Sequence, residues 1–373
     1  MVLRALLIAL LFVSVLFQGC RPVSRDPVRN FDFLWDTFQE RYAFFKLRGV
    51  DWKKMRAKYR PQLSRRSSEK DLYRVLKSMT DELKDYHVSI DAPWEILRSY
   101  RGTFRHWAYA WRVSRKASRL GLQIMKRYTG DYNNYGEADI VWGIIPKANV
   151  GLVQINSMED IVDCWDIYNF TSGKVCTWWT NDKAAANWIM TRVMKDFKNV
   201  KAVIVDVRFN TGGYDYVSRE LVRFFVNKKT FVYSKRESVD KKLQERQKFY
   251  VEPASVNKTK NVFVLTSHMT ASAAEVFALA MKSLEHVTLV GSPTRGILSD
   301  EYEEQLPNGW EFTLSNEVYY SPHGKIYEKI GVTPTISLPY PIDQPKRLLR
   351  LLKRQLQQDG DQAIERILKI IKR

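Results

Sequence analysis

Between positions 261 and 284 the chain passes from a strand pattern to a helix pattern through a short polar corner. Residues 261–265 are β-branched and aromatic, which predicts a strand buried on both faces, whereas residues 273–284 are rich in Ala, Leu and Met, which predicts a helix. Ser272 lies at the corner, beside the free N–H groups of the helix's first turn. Two interpretations follow: a nucleophile with an oxyanion site next to it, or an N-cap paired with Glu275 at N3.

Strands and helices alternate on both sides of this corner. The sequence predicts strands at 149–156, 201–210, 261–267 and 286–292, and helices at 182–195, 217–225 and 272–284. Such alternation predicts an α/β fold with parallel strands and crossover helices. Apolar residues recur at helical spacing between 30 and 86, which predicts a small helical domain before the core.

Three motifs occur in a fixed order along the predicted core: DVRFNTGG at 206–213, TSHMTASAAE at 266–275 and VGSPTRG at 290–296. In this order they resemble the serine peptidases of the tricorn-core and carboxy-terminal processing protease family. The resemblance implies a crotonase-like ββα spiral, shared with Clp-type proteases, behind an amino-terminal helical domain. It also implies that Ser272 is the nucleophile.

A serine hydroxyl needs a base within hydrogen-bond reach. One branch of the family uses a lysine directly after the G-x-x-T-x-G glycine, where this chain has Ile297, which cannot accept a proton. The tricorn-like branch uses a histidine and a distant glutamate. LKDYHVSI and YEKIGVTP resemble the segments that carry them, so the resemblance implies His87 as base and Glu328 as orienting acid. Tyr86 stands where the tricorn-like tetrad has a serine, and its phenol is a candidate for a similar hydrogen bond.

Glycines and a buried ion pair complete the predicted site. The N–H of Ala273 and one N–H from Gly212 or Gly213 are the candidates for an oxyanion hole, since glycine permits close approach of the backbone to a substrate carbonyl. A plain turn after a strand is the alternative. Asp206 and Arg208 are expected to act structurally, as an ion pair or turn lock below the site.

Each titratable candidate also has a structural interpretation. His87 alone is compatible with a satisfied structural histidine, and Glu328 with a surface charge next to Lys329. His268 and His323 lie near the motifs and are reserve candidates for the base.

The amino terminus has the pattern of a lipoprotein signal. Residues 5–17 are apolar except for Ser14, and Gly19-Cys20 follows. This predicts a signal peptide at 1–19, a lipid-modified Cys20 and a tether at 20–29 that hold the protein to a membrane of the cell envelope, facing the periplasm or the exterior. A plain signal peptide or a membrane anchor is the alternative. The other predicted divisions are a helical domain at 30–91, an aromatic and basic region at 92–148, the peptidase core at 149–345 and a basic helix at 346–373.

The formal net charge is +19, from 60 basic and 41 acidic residues. The basic residues are dispersed and accompany no nucleic-acid-binding motif, so we expect no nucleic-acid partner and interpret the charge as envelope adhesion or a solvated face. The expected partners are a peptide or unfolded-protein substrate and the membrane. We expect neither cofactor nor metal, since Cys164 and Cys176 have no second Cys or His at ligand spacing. Whether these two cysteines pair, and the oligomeric state, stay open.

The leading hypothesis is a lipid-anchored serine endopeptidase without a PDZ domain. The alternative is a module that binds hydrophobic ligands or peptides on the same fold, like those of interphotoreceptor retinoid-binding protein. A binding module does not need Ser272, His87 and Glu328 together, so their joint presence favours the enzyme.

Overall fold

A computed structural model of the chain describes residues 24–93, 104–134, 139–159, 161, 178–258, 261–341, 344–358 and 360–372, with the backbone alone at 104–112, 178–181 and 345. The signal peptide at 1–19, the lipid-modified Cys20 and the pair Cys164 and Cys176 lie outside these residues. Those interpretations stay predictions.

The described elements follow one another in a mixed α/β order. The helices are α1 (Pro27–Arg41), α2 (Phe45–Arg48), α3 (Trp52–Tyr59), α4 (Glu69–Asp81), α5 (Phe104–Thr129), α6 (Trp178–Asp196), α7 (Asp215–Val222), α8 (Ala273–Lys282), α9 (Pro345–Gln357) and α10 (Gln362–Ile371). The strands are β1 (Ser89–Asp91), β2 (Ile140–Ile145), β3 (Val150–Ile155), β4 (Ala202–Asp206), β5 (Thr230–Val239), β6 (Lys242–Leu243), β7 (Gln247–Val251), β8 (Val262–Thr266), β9 (Val287–Gly291), β10 (Glu301–Gln305), β11 (Glu311–Ser315), β12 (Glu317–Tyr320) and β13 (Ile336–Ser337). Short 3₁₀ turns at Arg60–Gln62 and Arg223–Phe225 follow α3 and α7.

Two compact units make up the described chain. The smaller unit draws its residues from the first 96 positions, from Val239–Lys242 and from Glu301–Ser315, and the larger unit contains the rest. Each unit therefore combines segments that are distant in sequence. The domain boundaries proposed from the sequence stay predictions.

The smaller unit contains α1 to α4, and α4 illustrates why these segments are helical. Ser68 and Asp71 form a reciprocal capping box at its start, which satisfies two N–H groups of the first turn. Apolar residues at spacings of three and four then bury one face of the helix, at Leu72, Val75, Leu76 and Met79. The helical spacing seen in the sequence thus corresponds to real helices.

An antiparallel sheet in the order β1-β11-β10 completes the smaller unit. Ile90 pairs with Phe312, and Tyr302 pairs with Leu314, so that alternate residues form an apolar face. Phe312 in that face stacks on Phe38 of α1 at 6.0 Å between ring centroids.

The larger unit is built on a six-stranded sheet in the order β13-β9-β8-β4-β3-β2. The pairs from β13 to β3 are parallel, and β2 joins the edge antiparallel. The predicted α/β alternation is therefore confirmed, with one antiparallel strand added. β5 pairs with β12, β6 and β7 in a separate small sheet.

Alternate residues of the central strands pack against two different helical layers. Val203, Val205 and Val264 lie in one core with apolar residues of α6, α7 and α8. Ile204 and Leu265 lie in the other core with apolar residues of α5, α9 and α10. A sheet covered on both faces explains why its strands are continuous apolar runs.

No helix among the described residues is long and apolar enough to span a membrane. The longest, α5, has 26 residues, but seven of them are Lys or Arg.

Candidate active site

Ser272 adopts a strained backbone conformation at the predicted corner. β8 ends at Thr266 and α8 begins at Ala273, and Ser272 between them has φ 51° and ψ −125°. Residues other than glycine rarely occupy this region, and holding one there costs on the order of 1–3 kcal/mol. Ser272 is partly exposed while its neighbours on both sides are buried. Its position is both that of the helix N-cap and that of a nucleophile presented on a sharp strand-to-helix turn.

The carboxylate of Glu275 holds this conformation. It is completely buried. One oxygen accepts the N–H of Ser272 at 3.2 Å and that of Ile297 at 2.8 Å. The other accepts the N–H of Gly296 at 2.7 Å and the hydroxyl of Thr294 at 2.5 Å. Burial raises the pKa of Glu275, and the four donors oppose that rise. Glu275 thus joins the serine corner to the loop of the third motif.

Gly212 packs directly against the serine. A Cβ atom on it would lie 2.7 Å from the Cβ of Ser272 and 3.2 Å from the nitrogen of Ala273, and its φ is +116°. Its N–H donates to the side chain of Asn210 at 2.9 Å. Gly212 therefore allows close approach of the backbone but has no free donor for an oxyanion.

Gly213 and Ala273 are the better candidates for the oxyanion hole. Within the part of the chain that the structure describes, the N–H of neither residue donates to a protein acceptor. Ala273 is the first residue of α8, where the N–H has no partner inside the helix. Of the two glycines predicted from the sequence, the hydrogen bonding of Gly212 leaves Gly213 for this role.

Asp206 and Arg208 form the buried ion pair expected from the sequence. The guanidinium donates to Asp206 at 2.6 Å and to Asp361 at 2.6 Å, and to the hydroxyl of Tyr340 at 2.7 Å. Burial lowers the pKa of Arg208, and the two carboxylates more than reverse this, so that it lies well above its usual range. The carbonyl of Arg208 accepts the hydroxyl of Ser267 in the loop before Ser272. The pair therefore supports the serine loop.

Glu328 lies in the larger unit with Ser272 and is buried. Its carboxylate accepts the N–H of Leu298 at 2.7 Å. It is therefore not the exposed charge that its position next to Lys329 suggests in the sequence. This hydrogen bond places the buried carboxylate of Glu328 next to Leu298, two residues after the end of the third motif.

His87 lies in the smaller unit, where its ring is buried. Its backbone N–H donates to Asp85 at 3.0 Å, and its carbonyl accepts the hydroxyl of Thr313 at 2.8 Å. Its Nε2 lies 3.7 Å from a carboxylate oxygen of Glu301, and its Nδ1 has no hydrogen-bond partner among the described residues. Neighbouring Tyr86 is about half exposed.

Sequence reasoning missed Glu301. The pKa of its carboxyl is raised overall, chiefly by burial. Positive charge on His87 lowers this pKa, and the nearby carboxylates of Glu303, Asp85 and Asp91 raise it further. Glu301 and Glu303 alternate along β10, which is a signal for a shared strand face, but no local pattern reveals that β10 approaches a histidine more than 200 residues earlier.

Two lysines of the larger unit have shifted pKa values, and neither suits a Ser/Lys dyad. Burial lowers the pKa of Lys235, and contacts of 2.7 Å with Asp300 and with Glu317 raise it further than burial lowers it. Burial lowers the pKa of Lys282, but Lys282 ends α8, about 15 Å along the helix from Ser272 at 1.5 Å per residue. Ile297, in the dyad position, is buried. Among the described residues, no group of His, Cys, Asp or Glu is arranged to hold a metal ion.

An α/β fold with a strained serine at a strand-to-helix corner is an architecture of serine hydrolases. A model of peptidase family S41 matches residues 149–338, just over half of the chain, and a model of the tricorn protease C1 domain matches residues 25–81. The chain belongs to peptidase family S41. The resemblance seen in the sequence motifs is thereby confirmed.

Similar proteins agree with this assignment. The carboxy-terminal processing protease CtpB of Bacillus subtilis is 28% identical over 145 residues, which are 39% of this chain and 29% of that protein. The chain spans only about a third of the length of the curated relatives it matches. A solved protein of Parabacteroides merdae has a TM-score of 0.66 at 19% identity, covering 93% of this chain and 97% of that one. Mature CPAF has a TM-score of 0.62 at 13% identity, covering 93% and 98%. At these identities the structural likeness concerns the fold.

Proposed function

We propose that this chain is a serine-type endopeptidase that hydrolyses peptide bonds in peptides or unfolded proteins. The observation that carries the proposal is the strained backbone of Ser272 at the start of α8, directly before Ala273, whose N–H has no acceptor among the described residues. A binding module gains nothing from holding a serine in this conformation, whereas a nucleophile gains exposure and a fixed direction of attack.

The proposed reaction has two acyl-transfer steps. The Ser272 oxygen attacks the peptide carbonyl and His87 takes its proton. The N–H groups of Ala273 and Gly213 stabilise the oxyanion, the amine leaves with the proton from the imidazole, and an ester to Ser272 remains. Water, deprotonated by the same imidazole, then hydrolyses the ester and releases the carboxylic acid. We assign His87 as the base because it matches the family motif and Ile297 excludes the usual lysine.

Two acids are proposed to support the base. Glu328 is buried in the larger unit and matches the family's orienting acid. Glu301 is 3.7 Å from the ring of His87, where its negative charge would stabilise the imidazolium formed in each step. We further propose that the core is a crotonase-like ββα spiral preceded by a helical domain, which the two family matches support.

The amino-terminal pattern supports a location at the cell envelope. We propose that residues 1–19 are removed and that Cys20 is lipid-modified and anchors the protein to a membrane. Cys20→Ser should abolish incorporation of labelled fatty acid and release the protein from membranes. A variant that is still labelled and membrane-bound would show that the anchor lies elsewhere.

Labelling with a fluorophosphonate tests the nucleophile. The wild-type chain should form one adduct, located by mass spectrometry on the peptide with Ser272, and Ser272→Ala should form none. Ser267→Ala is a matched control in the same loop, because Ser267 is buried and its hydroxyl donates to a carbonyl. Absence of an adduct in folded wild-type protein, or an adduct elsewhere, would favour the ligand-binding alternative.

A further inference from the structure

Three helices of the larger unit cover the same face of the six-stranded sheet. Apolar residues of α5, α9 and α10, among them Ala117, Leu352 and Ile364, share one core with the sheet. α5 is also joined to the other two by hydrogen bonds: Arg127 donates to the carbonyl of Leu356, and the hydroxyl of Tyr128 donates to Glu365. The outer sides of the three helices therefore form one surface, which we call the basic helical face.

Positive charge dominates this face. Twelve exposed Lys and Arg side chains lie on the described parts of the three helices, five of them on α9. The three helices contain a single acidic residue, Glu365, which is half-buried and bonded to Tyr128. Asp131, just after α5, is 3.7 Å from Lys126. The described parts of these three helices thus carry a large excess of positive charge.

Partly exposed apolar side chains border the cations on α9 and α10. Leu349, Leu351 and Leu356 on α9 and Leu368 and Ile370 on α10 pack against the core beneath the helices, but each of them is only partly buried there. Helices with a strongly basic side and adjoining Leu or Ile are typical of segments that lie on a membrane interface, where the cations meet lipid phosphates and the apolar groups enter the boundary with the acyl chains. A nucleic-acid backbone offers no such apolar layer.

We propose that the basic helical face binds the surface of a bilayer that contains anionic phospholipid. Charge complementarity favours this partner, since a cluster of cations is attracted by the negative potential of such a surface within a Debye length. The proposal goes beyond the peptidase activity and beyond the anchor at Cys20, because it concerns residues of the folded unit. Binding here would fix which side of the protein faces the lipid.

Vesicle flotation with the full chain tests the proposal. Two kinds of vesicle are compared, phosphatidylcholine alone and equal parts of phosphatidylcholine and phosphatidylglycerol, at low and at high salt. Insertion of the apolar residues 5–17 would be common to both vesicles, so the readout is the difference between them. Wild type should bind the anionic vesicles more tightly, and high salt should remove the difference.

Matched variants locate the binding surface. Arg347→Gln, Arg350→Gln and Arg354→Gln together remove three exposed charges from α9, and the control Arg192→Gln, Lys195→Gln and Lys198→Gln removes three from the opposite layer, at α6 and just after it. Each basic residue near an anionic leaflet contributes roughly fivefold to binding, so the α9 variant should bind on the order of a hundredfold more weakly. The control should stay close to wild type. If the α9 triple variant does not fold, as judged by its thermal transition, Lys346→Gln with Lys353→Gln replaces it.

Several results would overturn the proposal. Equal binding of wild type to both vesicles would show that lipid charge is irrelevant. Equal losses in the α9 variant and the α6 control would show that net charge acts without a defined surface. Tighter binding to duplex DNA than to anionic vesicles, lost in the α9 variant, would make the face a nucleic-acid surface. None of these readouts depends on hydrolysis.

Discussion

The buried carboxylate of Glu275 accepts the backbone N–H of Ser272 and, with its other contacts, fixes the strained serine to the third-motif loop. All four groups that face this carboxylate are hydrogen-bond donors, so both of its oxygens must act as acceptors. The four hydrogen bonds offset the cost of burying the carboxylate.

Glu275→Gln should therefore damage both stability and activity. The amide NH₂ would face N–H donors, which leaves buried groups unpaired at a cost of about 1–3 kcal/mol each. We expect a lower melting temperature and a turnover reduced at least tenfold with little change in KM, because the nucleophile is displaced. Steady-state kinetics and thermal melting measure both effects. Glu303→Gln, on an exposed carboxylate, is the control. Wild-type turnover in Glu275→Gln would show that the hydrogen bonds accepted by Glu275 are dispensable for activity.

Gly212→Ala should abolish most activity. The added Cβ would lie 2.7 Å from the Cβ of Ser272, so the serine must move. Gly309→Ala controls for backbone strain, because Gly309 also has a positive φ but has open space around its Cβ position. We expect both variants to lose stability and only Gly212→Ala to lose turnover by two orders of magnitude or more, since misplacement by about 1 Å costs this much. Equal turnover in the two would contradict the packing argument.

Glu301→Gln should slow hydrolysis modestly. A full charge at 3.7 Å would stabilise the imidazolium strongly in a buried site, but the Glu301 side chain is 41% exposed, so solvent screening reduces the effect to about 1 kcal/mol, or roughly fivefold in turnover. Glu303→Gln on the same strand should have a smaller effect. The pH profile of kcat/KM separates the roles: a positioning acid shifts its acidic limb, and a purely structural residue lowers the rate equally at every pH.

The cluster around Lys235 predicts a stability that depends on pH. Burial and the neighbouring Asp300 raise the pKa of Glu317 to about 8. Because this value lies above the ordinary 4.5, the contribution of Glu317 to stability is fully present below about pH 4.5 and is lost as the pH rises through 8. Thermal melting of wild type should show a fall between about pH 4.5 and 8 that Glu317→Gln lacks. Parallel curves for the two proteins would refute the assignment.

The sequence predicted the sheet and the serine corner because both depend on local signals. Apolar runs such as 261–265 and the motif around Ser272 carry the strand, the turn and the helix start within 25 residues. The same local patterns could not predict how segments that are distant in the sequence combine into one sheet. β11 and β12 are separated by a single residue in the sequence, yet β11 joins β1 and β10 while β12 joins β5. The contact of Glu301 with His87 depends on this arrangement and leaves no local pattern.

The hydrogen bonding of glycines shows a similar limit. Gly212 and Gly213 are equivalent in sequence, and the hydrogen bond from the N–H of Gly212 to the side chain of Asn210 distinguishes them as oxyanion donors. Glu275 read as a partner for an N-cap, although its main contacts reach Thr294, Gly296 and Ile297 in the next motif. Such roles follow from tertiary contacts rather than from spacing.

The most direct test of the central claim is to measure melting temperature and peptide hydrolysis together for Ser272→Gly and Ser272→Ala. Glycine adopts the backbone angles of Ser272 without strain, and the relief should exceed the 0.5–1 kcal/mol that glycine loses in flexibility, by roughly 1 kcal/mol. We predict that Ser272→Gly melts above wild type, that Ser272→Ala does not, and that both lose hydrolysis of an unfolded protein by on the order of a million-fold. Appreciable hydrolysis by either folded variant would contradict the account.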